Sequence, residues 1–157
     1  MVDDHVEAGH LIAQLLRRAG FEVAELVDHQ TAVSALIDHE DEVAGVVASF
    51  TTTGTSGGLR LIDALRNHHL DRLSHLRVLL ISDQPRQQIF CLQAGADAIL
   101  MRPFSDASLV EAVEAMVARP ESQRMAYRRA MVDEVKATWA LTDDASESAG
   151  SPAAVVS

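Results

Sequence analysis

Val43-Ala44-Gly45-Val46-Val47-Ala48-Ser49-Phe50 is a nearly unbroken apolar run. A strand with one wet face alternates apolar and polar residues. A run without alternation fits a strand buried on both faces, and such strands belong to parallel sheets covered by helices. Outward from this run the chain alternates between two periodicities. Phe21 to Val27, Leu76 to Ile81 and Ala98 to Met101 are short and apolar, as strands are. Asp4 to Ala19 carries Leu11, Ile12, Leu15 and Leu16 at helical spacing, with Gly20 as the stop. Thr31 to Asp38, Gly58 to Asn67 and Gln84 to Gln93 also read as helices, the last closed by Ala94-Gly95. Ser105 caps a helix through Ala118, and Asp106 suits its first turn, where the helix dipole favours an anion. Thr51 to Gly57 has loop chemistry, and His68 to His75 is a polar connection. The alternation predicts an α/β domain with a five-stranded parallel sheet and helices on both faces. Only Met1 and Val2 precede Asp3, so the first strand is either very short or begun late.

Pro120 ends this pattern. The expected organisation is a domain over 1–119, a helical extension over 120–141 and a disordered tail over 142–157. In the extension, Tyr127, Met131, Val135 and Trp139 recur every fourth residue, and Val132 widens the stripe. Arg124 and Arg128 interrupt it at its start. The periodicity leaves open whether this helix folds back on its own domain or pairs with a second copy.

Composition removes several function classes. Of 157 residues, 48% are hydrophobic and 23% charged, the profile of a soluble globular chain. The formal charge of −10 argues against binding nucleic acid, which needs clustered Lys and Arg. No apolar run approaches a membrane span, and no signal peptide is visible. The single cysteine, Cys91, cannot form an internal disulfide, which fits a reducing cytoplasm.

Ligand chemistry in such a sheet gathers at the carboxyl ends of the strands. There the sequence places Asp3-Asp4, then Ser49-Phe50 running into Thr51, then Ser82-Asp83, then Arg102-Pro103-Phe104. This order resembles the receiver domain of bacterial two-component response regulators. The similarity runs from Val2 to about Arg119. It is carried mostly by Val2-Asp3-Asp4 and by Gly95-Ala96-Asp97-Ala98-Ile99-Leu100-Met101-Arg102-Pro103-Phe104. The resemblance implies a five-stranded doubly wound fold with a cis Arg102-Pro103 bond. It also implies a phosphoacceptor aspartate after the third strand, an acid pair for a divalent metal, a hydroxyl and a lysine around the phosphoryl group, and a switch aromatic. Carboxylate attack on a phosphoryl group needs that cationic compensation.

This sequence departs from the family at those positions. Counting back from Gly58-Leu59, the phosphoacceptor position falls on Phe50, or on Ser49 if the loop differs by one residue. Neither is a carboxylate. Ser82 matches the hydroxyl position. Arg102 stands where the family has lysine, and a planar fork is not a compact ammonium. Ile99 takes the switch position, and Gly54 the place of a loop proline. The pattern is that of a degenerate receiver, or pseudo-receiver.

The remaining features have plain readings. Asp3 and Asp4 are weak metal candidates and are expected to be neutralised by Arg102. The Thr51–Ser56 hydroxyls are loop residues. His68, His69 and His75 match no zinc spacing. Gly57-Gly58 is no phosphate cradle, and Cys91 is a packing residue. The expected function is non-enzymatic, phosphorylation-independent signalling by protein contact, with no cofactor and with homodimerisation. The family's usual contact face would here include Gln88, Gln93, Met101 and Val113. The alternatives are phosphate acceptance from a histidine kinase at a non-standard residue such as Asp3 or Asp4, and a plain oligomerisation scaffold.

Overall fold

The computed structural model describes residues 1–51 and 57–148. Three strands form a parallel sheet in the order β1 (Gly45–Ser49), β2 (Arg77–Ser82), β3 (Ala98–Met101). The two further strands of the five-stranded expectation are reduced to single rungs. Val2 bridges Ala48 on one side and Leu26 on the other, both in parallel. Met1 also bonds the outer run: its N donates to Ala24 O (2.8 Å) and its O accepts from Leu26 N (2.9 Å). Within the Phe21–Val27 run, Leu26 is the residue that bridges Val2. The backbone bonds are nonetheless well formed: Val2 N donates to Val47 O (2.8 Å), Ser49 N to Val2 O (3.0 Å) and Asp3 N to Leu26 O (3.0 Å).

Helices cover both faces. Helices α1 (Val6–Arg18) and α6 (Asp106–Ala118) bury Ile12, Leu16, Leu109, Val113 and Met116 against Val47, Leu79 and Ile81. Helices α2 (His29–Asp38), α3 (Gly57–Arg66) and the single-turn α4 (Asp71–Ser74) pack on the opposite face, with Leu61, Ile62, Leu65 and Leu73 fully buried. The α4 turn lies inside the stretch expected to be a plain polar connection. Helix α5 (Gln87–Ala94) adds Cys91 to the same core. It ends on Gly95 at φ 114°, a left-handed cap that a side chain would strain. Ser105 caps α6 as expected, its hydroxyl accepting from Ser108 N. The Arg102–Pro103 bond is cis.

The last helix, α7 (Glu121–Ser148), runs seven residues past its expected end at Leu141, so residues 142–148 are helical rather than disordered. Residues 149–157 of the expected tail lie outside the described residues, as do Thr52, Thr53, Gly54, Thr55 and Ser56. Helix α7 folds back on its own domain. It packs along α5, and Tyr127, Met131 and Val135 line a narrow crevice with Gln88, Leu92, Ala98 and Ile99.

The interruption of its stripe has a cause. Arg124 is 3% exposed and makes a two-point bond to Asp97: Nε to Oδ1 at 2.7 Å and Nη2 to Oδ2 at 2.9 Å. Its Nη1 donates to His75 O and to Glu121 Oε2. Arg66 binds the same carboxylate through Nη2 (3.0 Å), and Val78 N donates to Oδ2. Burial alone would lower the Arg124 pKa, but the bonds to Asp97 and Glu121 outweigh it and hold the guanidinium above its ordinary value.

Two outcomes test this packing. Arg124→Ala removes a planar, two-point partner from a buried carboxylate and should cost about 3 kcal/mol in denaturant unfolding. Glu121→Gln, at an exposed carboxylate, should cost less than about 1 kcal/mol. Burial pushes the Cys91 thiol up to about 12, so at neutral pH it should resist thiol reagents until denaturant opens the fold.

Candidate functional site

The rim at the carboxyl ends of the strands is built by short-range constraints. Val2 is clamped between Leu26 and β1, which delivers Asp3 beside the end of β1. Gly9 of α1 lets that helix close over Asp3, since a methyl group there would stand 3.0 Å from Asp3 Cβ. Gly58 does the same for α3: a methyl group would meet Phe50 Cα at 2.9 Å and Ser49 O at 3.0 Å. The start of α3 therefore sits directly on the end of β1.

Of the six expected site residues, the fold brings three into one group. Asp3 is 5% exposed. Its Oδ2 accepts a short bond from Ser49 Oγ (2.5 Å), and its Oδ1 accepts from His5 N (2.9 Å). Arg102 Nη2 lies 3.8 Å from Asp3 Oδ2 and 3.4 Å from Ser49 Oγ. The three others go elsewhere. Phe50 is buried in the core on the α2–α3 face of the sheet, packed with Val2, Ala48 and Ile62. Asp4 is exposed. The hydroxyl of Ser82 is engaged by Gln87 Oε1 and by Gln84, at the approach to α5 rather than at Arg102. Between the two candidates at the end of β1, Ser49 is therefore the one whose side chain faces Asp3 and Arg102.

The expected pairing of Arg102 with the acid pair is modified. Its second carboxylate is Asp83, at 3.5 Å from Nη1, on the loop that leaves β2. Asp83 was visible as a rim residue, but nothing in its spacing tied it to Arg102. Arg102 keeps 30% of its side chain exposed, so its hold on Asp3 is long and partly screened. The Ser49 hydroxyl and the His5 amide are the short contacts.

Ile99, the expected switch position, is half-buried in the crevice beneath α7. Val113, expected on a contact surface, is a core residue instead, 5% exposed against the sheet. It lies on the inner side of α6, which a helical count from Ser105 could have shown. Gln93 is exposed, while Gln88 and Met101 are half-buried.

A divalent metal, which the family resemblance implies, does not fit this rim. Hard cations want several oxygen donors at once. Here the end of β1 supplies no carboxylate, and Asp3 is already engaged on both oxygens. Among the described residues no three His, Cys, Asp or Glu side chains are gathered to hold an ion.

The unequal contacts of Asp3 give a ranking. Ser49→Ala removes the short bond to a buried carboxylate and should destabilise by about 2 kcal/mol. Arg102→Ala should cost no more than about 1 kcal/mol. Chemical denaturation of both variants checks the order, and a larger loss at Arg102 would contradict it.

The comparisons with known proteins agree with this geometry. The family model for the response regulator receiver domain matches residues 1–114. The chemotaxis protein CheY-3 of Vibrio cholerae is 32% identical over 123 residues, covering 76% of this chain and 90% of its own. The phosphate regulon transcriptional regulatory protein PhoB of Pseudomonas aeruginosa is 28% identical over 119 residues, and the chain spans about half of its length (51%). The receiver domain of NtrX from Brucella abortus superimposes at a TM-score of 0.66 with 24% identity, over 76% of this chain and 97% of that one, a likeness of fold. With residues 1–114 matched and the parallel β1-β2-β3 order in place, the chain belongs to the response regulator receiver domain family.

Proposed function

We propose that this chain is a degenerate receiver that signals through protein contact and takes no phosphate on an aspartate. One observation carries the reading. The side chains at the end of β1 are a serine engaged by Asp3 and a phenylalanine buried in the core. A serine hydroxyl cannot form the mixed anhydride that a carboxylate forms, and a phenyl ring offers no nucleophile. Asp3 is held by Ser49, His5 N and Arg102, so its charge is compensated without a metal or a phosphoryl group.

The remaining functional surface is the one built on α5, β3 and α6, with α7 laid along α5. Its partner is a protein. A chain of net charge −10 favours a basic partner surface. Among the described residues no helix is long and apolar enough to cross a membrane, and the single cysteine is buried and unpaired. Both fit a regulator working in the cytoplasm.

Incubation with acetyl phosphate and magnesium, followed by intact-mass measurement, tests the reading. The expected result is an unchanged mass. Gain of one phosphoryl group that disappears in Asp4→Asn would overturn it in favour of a receiver phosphorylated at a non-standard residue.

A further inference from the structure

Among the described residues β3 is the outer strand on one side of the sheet and pairs with β2 alone. On the other side, Val2 and Leu26 add single rungs beyond β1. An outer strand turns half of its main-chain N–H and C=O groups away from its one neighbour, and that row is a template for the strand of another chain. Charged residues, proline or a bulge commonly blunt such an edge. Ala98-Ile99-Leu100-Met101 has no charge and no proline, so the strand itself does nothing to discourage pairing.

Helix α7 stands at that edge. Successive side chains of a strand point to opposite faces. Ala98 packs in the core on the α1–α6 face, and Ile99 packs against the core on the α2–α3 face. A crevice touched by both lies at the margin of the strand rather than on either face. Tyr127, Met131 and Val135 of α7 line this crevice, and it encloses about 50 Å³. That is room for a water or two, not for a strand. From Tyr127 to Val135 the helix rises about 12 Å, close to the length of about 13 Å of the four-residue strand. The helix is also tied to the head of β3. Arg119 donates through Nη1 to Asp97 O (3.4 Å) while stacking on Tyr127, and Arg124 holds the Asp97 carboxylate.

We infer that the first half of α7 guards the open edge of the sheet, seated beside β3 so that a strand of a second copy cannot add there. The second copy is the occupant to be excluded because every copy carries the same strand. Two bare β3 edges are self-complementary about a two-fold axis, since identical strands can pair antiparallel with no other partner. The apolar spacing of Tyr127, Met131 and Val135 thereby acquires a role beyond core packing: it closes within one chain a contact that would otherwise form between chains. This inference concerns assembly and does not rest on the phosphoryl reading of the rim.

Light scattering on the full chain across a concentration series tests it. Met131→Asp with Val135→Asp turns the inner side of α7 polar while Arg124 keeps its base anchored. The double variant should show at least twice the mass of the unaltered chain at the same concentration. Adding Met101→Lys puts a charge on the bared strand and should return the mass to that of the unaltered chain. Met101→Lys alone should change nothing. No gain in mass from the double variant would overturn the inference. So would a gain that Met101→Lys leaves in place, because the contact would then lie away from β3. A loss of mass caused by Met101→Lys alone would overturn it too, because the edge would already be in use. Circular dichroism establishes that each variant is folded. Val135→Asp, the substitution farthest from Asp97, carries the same readout where the double variant is not.

Discussion

Asp97 holds the molecule together at the amino ends of its strands. Its carboxylate is 2% exposed, and a buried carboxylate without partners would neutralise itself or unfold the site. Here two guanidinium groups and a main-chain amide donate four hydrogen bonds to it, one to Oδ1 and three to Oδ2. The partners come from distant parts of the chain. Arg66 ends α3 and also donates to Ser74 O, Leu76 O and Gly95 O. Arg124 opens α7 and reaches His75 O. The start of β2, the turn before β3, the end of α3 and the base of α7 are thereby fixed to one charge. Gly95 belongs to the same arrangement, because a methyl group at its position would lie 2.8 Å from Arg66 Nε. Such a cluster contributes less net stability than its contacts suggest, since three charges must leave water. What it does give is direction. Its bonds tie the start of α7 to that carboxylate, and Arg119 stacked on Tyr127 at 3.3 Å reinforces the placement.

That placement connects the two ends of the sheet. Helix α7 starts at the amino ends beside Asp97 and runs antiparallel to α5, from the Leu92 turn to the Gln88 turn. On the way it covers Ile99. At the other end stands the Asp3–Ser49–Arg102 group, also a buried carboxylate held by neighbours of the same chain. The two groups differ in kind. Asp97 is neutralised by two arginines at bonding distance. Asp3 leans on a hydroxyl and an amide, with its arginine farther off and shared with Asp83. The first is a structural clamp. The second is a rim where charge remains partly open to solvent.

The sequence displayed the layers clearly and the connections between them poorly. Unalternating runs gave β1, β2 and β3 almost to the residue, because burial on both faces leaves a composition that no helix surface shares. The outer strands misled, since a run of apolar residues does not state how long its partner is. Pairing with the neighbouring run is confined to Met1 and Val2, which meet Ala24 and Leu26. The resemblance to receivers pointed to Asp3, Ser49 and Arg102, and these do meet. It could not show that Ser82 turns to Gln87 or that Arg102 also holds Asp83, because both depend on how one loop leaves β2. The largest omission was Arg124. On a helical wheel it broke an apolar stripe, and periodicity treats a charge in a stripe as a defect. A buried charge requires a partner, and Asp97, an aspartate at the mouth of an apolar strand, was the matching signal.

The absent carboxylate at the end of β1 and the docked α7 can be understood together. A receiver that responds to phosphate needs a site with unbalanced charge and a face free to rearrange. In this chain the rim is balanced internally: Ser49 satisfies Asp3, and Phe50 is drawn into the core with Ile62. The position of Ile99, from which a side chain would have to move, lies beneath a helix anchored by a buried two-point ion pair. Moving Ile99 would mean lifting α7, and lifting α7 would strain the contact between Arg124 and Asp97, which are 27 residues apart in the chain. A phosphoryl group bound at the rim would therefore act against the clamp at the far end of the sheet. A helix held this firmly is better suited to present a fixed surface than to be released, in keeping with the proposed contact role.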